Sequence, residues 1–194
     1  MTELTKRIDL LKHRLQTAYD GIGHSYGRPY VYFVYPPDQE RFLRSQIDDA
    51  FVSSSLLTFY HLDVLAIVMQ STASQEERRE ALLGDPTRGA GAATSILGLW
   101  SRQVSQAIAA ALVEKPPQGR PVAVLRGLAA LHPLGTPTNM MESIAEEEPR
   151  DPATDKIIPI VLLVPGIRPP QSSRVYWFLG QERLRQEFYR GEEV

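Results

Sequence analysis

Along this chain, stretches of continuous apolar residues alternate with stretches whose apolar positions recur at helical spacing. The longest apolar stretch is Ile157–Gly166, IIPIVLLVPG. Rich in Ile and Val, without polar alternation and closed by Pro-Gly, it predicts a strand covered on both faces, the mark of a central strand in a layered α/β domain. Tyr30–Tyr35, YVYFVY, predicts another strand, stopped by Pro36-Pro37. Leu56–Leu62, Pro121–Leu125 and Val175–Leu179 predict three more. Between them lie helical patterns. Leu4, Ile8, Leu11 and Leu15 follow 4-3-4 spacing on a helix that ends near Asp20-Gly21, and this stripe packs either on the chain's own core or on another protein. A helix over about Asp38–Phe51 carries Phe42, Ile47 and Phe51. Asp63 caps the next helix, with Val64, Leu65, Val68 and Met69 apolar.

Ser74-Gln75-Glu76-Glu77 has the form of a capping box and opens a short helix that stops at Gly84-Asp85-Pro86. TRGAGAA at Thr87–Ala93 reads as a flexible entry to a helix over about Thr94–Glu114. The apolar face of that helix is Trp100, Val104, Ile108, Ala111 and Leu112. Leu128–Leu134 begins a turn or short helix, and Thr136-Pro137 starts another with Met140, Met141 and Ile144 inward. The polar Glu146–Asp155 segment reads as a solvated loop, and a last helix carries Leu184 and Phe188. Strands alternating with helices predict one α/β domain over 1–194, three-layered, with a mostly parallel five-stranded sheet and helices on both faces. The plan is P-loop-NTPase-like, without Walker motifs.

The chain has 194 residues, 43% hydrophobic and 23% charged, as in an ordinary globular domain. Its net charge of −2 argues against a protein made chiefly to bind nucleic acid, so DNA binding is not expected to be strong. It has no cysteine, which removes disulfides, thiolate chemistry and sulfur-based zinc sites. The N-terminus lacks the apolar core of a signal peptide, and no stretch reaches the roughly 18 apolar residues of a membrane span. The expectation is a cytoplasmic, soluble protein with no membrane contact.

In a doubly wound sheet, ligands favour the carboxyl ends of the strands. Here the first strand runs into YPPDQE, where a phosphate-binding loop would need glycine N–H groups and a lysine. The third ends in Arg126, where a magnesium-binding acid would be expected. Arg88-Gly89-Ala90-Gly91-Ala92 is glycine-rich but follows no strand, and reads as a flexible loop rather than an anion cradle. His13, His24, His61 and His132 are too scattered for metal-ligand spacing, and no serine sits in a GxSxG elbow. His132 lies near a strand end without an evident partner. No catalytic, cofactor or metal residues emerge, and the chain reads as non-enzymatic. The candidate partner or ligand rim is Arg126, His132, Arg168, Arg174, Tyr189 and Arg190, since tyrosine and arginine are enriched in interface hot spots.

Several segments in order carry a resemblance. Tyr30–Tyr35 running into Pro36-Pro37, PVAVLRGLAALHPL at Pro121–Leu134, IIPIVLLVPG, and the closing VYWFLGQERLRQEFYRGEE together resemble the BrxB family of bacterial BREX phage-defence systems. The resemblance implies a cytoplasmic accessory subunit. It would dock on PglZ, a phosphatase-like protein, beside a DNA methyltransferase and a large ATPase. It carries over no catalytic residues and no cofactor. The competing reading is a nucleotide- or nucleic-acid-binding module using Arg88, Arg126, Arg168 and Arg174 as phosphate contacts. A hydrolase centred on His132 is a third.

Overall fold

The computed structural model describes residues 2–73, 75–87, 89–146, 148–170, 172 and 174–194. Ser74, Arg88, Glu147 and Ser173 therefore lie outside the described residues, and with them the serine of the expected capping box and one of the four arginines in the nucleic-acid reading.

Among the described residues, seven strands form one sheet and six α-helices pack around it. The helices are α1 (Glu3–Thr17), α2 (Glu40–Ala50), α3 (Val64–Thr72), α4 (Glu76–Gly84), α5 (Gly89–Glu114) and α6 (Pro137–Ile144). The strands are β1 (Tyr30–Tyr35), β2 (Leu57–Asp63), β3 (Arg120–Arg126), β4 (Ile160–Ile167), β5 (Val175–Phe178), β6 (Arg185–Glu187) and β7 (Gly191–Glu193). Five strands pair in parallel in the order β2-β3-β4-β1-β7. The fold is thus α/β with a mostly parallel sheet, as the alternating pattern requires. A 3-10 turn at Pro37–Gln39 follows β1 where a phosphate loop would sit.

Each strand divides its side chains between two cores, because successive residues point to opposite faces. Tyr30, Tyr32 and Val34 of β1 join Ile160, Leu162 and Val164 of β4 on the face covered by α3, α5 and α6. Val31, Phe33 and Tyr35 join Val161 and Leu163 on the face covered by α1 and α2. Burial on both sides is why β4 tolerates no polar residue, and each large apolar side chain so buried contributes about 1.5–3 kcal/mol. Leu4, Ile8, Leu11 and Leu15 of α1 are all buried in the second core, so this helix packs on its own sheet.

The structure settles which apolar positions of the helices face inward and where one of them begins. In α2 the inward residues are Leu43 and Ile47, while Phe42 is 42% exposed. In α3, Leu65 and Met69 face outward. The glycine-rich entry at Gly89–Ala93 is already helix, so α5 begins five residues earlier than its pattern suggests. At 26 residues, α5 is long and apolar enough to cross a bilayer by length and composition, contrary to the expectation of no such stretch. Arg102 interrupts it, and Trp100, Val104, Ile108 and Leu112 place one face in the core.

The larger correction concerns the C-terminus. Val175–Phe178 is not a parallel neighbour of β4. It pairs antiparallel with Gly166 and Ile167, past the point where β4 leaves the main sheet. Gly166 makes the close approach possible, since a Cβ there would stand 2.8 Å from the Trp177 carbonyl oxygen. The expected helix over Leu184 and Phe188 is instead a 3-10 turn followed by β6, antiparallel to β5. Phe188 then packs on the Tyr176 ring at 5.2 Å and on Tyr32 at 5.1 Å. Burying three rings together outweighs a modest local helix preference. The chain ends as β7, alongside Tyr30–Tyr32 of β1, and supplies the fifth parallel strand.

Within the polar segment, 150–155 is also more anchored than a solvated loop. Asp151 is 8% exposed, and its carboxylate accepts from Ala153 N and Thr154 Oγ1. Its carbonyl receives the N–H groups of Thr154 and Asp155.

Candidate interaction surfaces at the two ends of the sheet

At the carboxyl ends of the strands the charged residues are bound to one another. The Tyr35 phenol donates a hydrogen bond to Glu40, at the start of α2. Burial, then that bond, pushes the phenol pKa upward, which keeps it a neutral donor. Arg44 bridges Glu40 Oε1 at 2.8 Å and Asp63 Oδ2 at 2.7 Å. Asp63 Oδ1 also accepts from Leu65 N, capping α3. Arg126, at the end of β3, donates to Asp48 Oδ1 at 2.9 Å and lies 3.9 Å from Asp63 Oδ2. Gly127 holds φ at 72°, and a Cβ there would stand 2.5 Å from Asp63 Oδ1. A run of alternating charge from Glu40 to Asp48 thus closes on itself and ties α2 to the sheet.

A second cluster occupies the same end beside β1. Arg168 Nη1 meets Glu193 Oε2 at 2.8 Å, and Arg7 approaches Glu193 Oε1 at 3.5 Å. Arg7 also donates to the carbonyls of Val34 and Val194 and lies over the Phe33 ring. Burial raises the Glu193 pKa against the opposing pull of both arginines. His132 follows the 3-10 turn after β3 and is half-buried, with no side-chain partner among the described residues.

The amino end of the sheet is different. The Arg174 guanidinium lies 5.2 Å from the ring centroid of Tyr26, in the turn before β1. The Arg190 guanidinium lies 5.4 Å from the ring of Tyr189. The two pairs are neighbours, since Phe188 N donates to Arg174 O and Gly191 pairs with Tyr30. The Tyr32 hydroxyl fixes the turn between them by meeting both the N–H and the carbonyl of Tyr189. Arg174 and Arg190 are exposed and make no ion pair among the described residues. Close by, Arg28 pairs with Glu148, which also accepts from the Tyr30 hydroxyl.

The six rim residues therefore do not form one surface. Arg126, His132 and Arg168 belong to the carboxyl side, whereas Arg174, Tyr189 and Arg190 gather at the amino end. Tyr26 and Arg28 complete the second group. Their only signal in the sequence was an aromatic and an arginine within the glycine-rich GIGHSYGRP connection. Among the described residues no three His, Asp or Glu side chains converge as metal ligands. Comparison with known proteins gave no match to any family model, curated protein or solved structure.

Proposed function

We propose that the chain is a non-catalytic interaction subunit of a BREX-type bacterial phage-defence system, docking in the cytoplasm on a larger PglZ-like protein. The observation that carries this reading is the pair of cation–π Tyr–Arg contacts at the amino end of the sheet, Tyr26 with Arg174 and Tyr189 with Arg190. A guanidinium held over a ring has lost part of its freedom before binding, and its charge is still unspent. Such residues fit the centre of a protein interface. Further support comes from the BrxB-like order of the closing segments. The methyltransferase and ATPase of such a system are secondary partners in this reading.

The carboxyl rim supports it in a negative way. Charged groups there serve each other, Arg126 with Asp48 and Arg168 with Glu193. Phosphate contacts by these arginines would first have to break those pairs, which weighs against the nucleotide or nucleic-acid reading. The direct test is to mix the purified protein with the PglZ-like product of its own operon and measure mass by light scattering. One species of summed mass is expected. Two independent species at micromolar concentration would end the proposal.

A further inference from the structure

A cavity of about 610 Å³ lies between the last turn of α3, the helix α4 and the first turns of α5, independent of both sheet ends. Its volume falls within the range of small-molecule sites, roughly 300–1,000 Å³. Ala92, Ile96, Leu99 and Trp100 make its apolar wall, and Arg78 and Arg79 supply its charge. No acid lines it among the described residues, although the chain as a whole carries a net charge of −2. The neighbouring acid Asp85 is engaged with the N–H and hydroxyl of Thr87.

Two more features have the same sign. The cavity includes Gly91 and Ala92 in the first turn of α5, where the helix dipole is positive. Trp100 is only 5% exposed, yet its indole N–H has no hydrogen-bond partner. Buried donors are nearly always paired, so this one is an exception, in a residue that also forms the cavity's apolar wall.

We propose that this cavity binds a small aromatic anion, a phosphomonoester or carboxylate attached to a flat ring. The ring would lie against Ile96, Leu99 and Trp100. The anionic group would meet Arg78, Arg79 and the first turn of α5, as charged hydrogen bonds at helix N-termini do elsewhere.

The chain has two tryptophans, so Trp177→Phe leaves Trp100 as the sole indole reporter. Phenyl phosphate, benzoate, adenosine monophosphate and inorganic phosphate are titrated against this variant by indole fluorescence, and against the wild type by calorimetry. Saturable binding of at least one aromatic anion is expected, with inorganic phosphate weaker by roughly tenfold or more because it lacks the apolar contact. The order among the three aromatic probes separates nucleotides from simpler arenes. Arg78→Ala with Arg79→Ala should weaken binding at least about tenfold. Ser95→Asp, at an exposed position in the wall, should do the same by repulsion without disturbing the helix pair. The proposal is overturned by absence of saturation with every aromatic probe, by equal affinity for inorganic phosphate, or by wild-type affinity in both folded variants.

Discussion

Arg174 stacks on Tyr26 at the end of the sheet opposite to Arg126. This pairing joins the start of β5 to the turn before β1, and it is exposed on both sides of the contact. Exposed side chains without ion partners contribute little to folding, so Arg174→Glu with Arg190→Glu should change unfolding free energy by no more than about 0.5 kcal/mol per site. Urea denaturation monitored by circular dichroism measures this. A large loss would mean that the two arginines hold the fold together and are not reserved for a partner.

Glu193 predicts a particular pH dependence. Its folded pKa is raised above the ordinary 4.5 by burial, so the folded state binds this proton more tightly than the unfolded chain. The favourable contribution is therefore fully present below 4.5 and is lost as pH rises through the higher, folded value. Subtracting the stability of Glu193→Gln from that of the wild type should leave a difference that falls from about pH 4 toward neutrality. A difference that rises with pH would show that the pairs with Arg168 and Arg7 dominate over burial.

Gly166 tests the turn from the main sheet into the β5–β6 ribbon. A methyl group there would meet the Trp177 carbonyl oxygen at 2.8 Å, so backbone must move. Gly166→Ala should destabilise by about 1–3 kcal/mol. Faster amide exchange is expected in Val175–Phe178 than in the central β1–β4 pair. Uniform exchange changes across the sheet would contradict this local origin.

Thr58 offers a cleaner hydrogen-bond test. It is 2% exposed, and its hydroxyl accepts from Gln118 N at 3.0 Å and Gly119 N at 2.9 Å. Thr58→Val keeps the shape and strands both donors, at a cost of about 1–3 kcal/mol. The thermal midpoint should fall, whereas an unchanged midpoint would show that solvent satisfies the two N–H groups.

How much of this could be read in the sequence depends on how local the deciding forces are. β1 was legible to the residue because YVYFVY is fully buried and two prolines stop it. β4 was legible in type, though Pro159 delays its start to Ile160. Thr136 and Asp63 cap helices as their positions suggested, since a cap acts within three residues. The C-terminal segment was misread because Leu184 and Phe188 have helical spacing, while the partner that makes 185–187 a strand is β5. The stacked pairs were beyond reach for the same reason: Tyr26 and Arg174 meet only once β5 and β6 fold back over the sheet. The carboxyl-end arginines were visible as residues, but the acids that neutralise them come from α2 and β7.

The central claim is that a partner protein docks on the amino end of the sheet, and affinity measured with paired variants tests it most directly. Calorimetry with the PglZ-like protein compares the wild type, Arg174→Glu with Arg190→Glu, and Phe42→Glu, an exposed position at the start of α2 near the carboxyl rim. The account predicts that the double variant loses about 2–4 kcal/mol of binding, the scale of an interface hot spot, while Phe42→Glu binds as the wild type does. Unchanged affinity in the double variant together with loss in Phe42→Glu would place the interface at the carboxyl rim and contradict it.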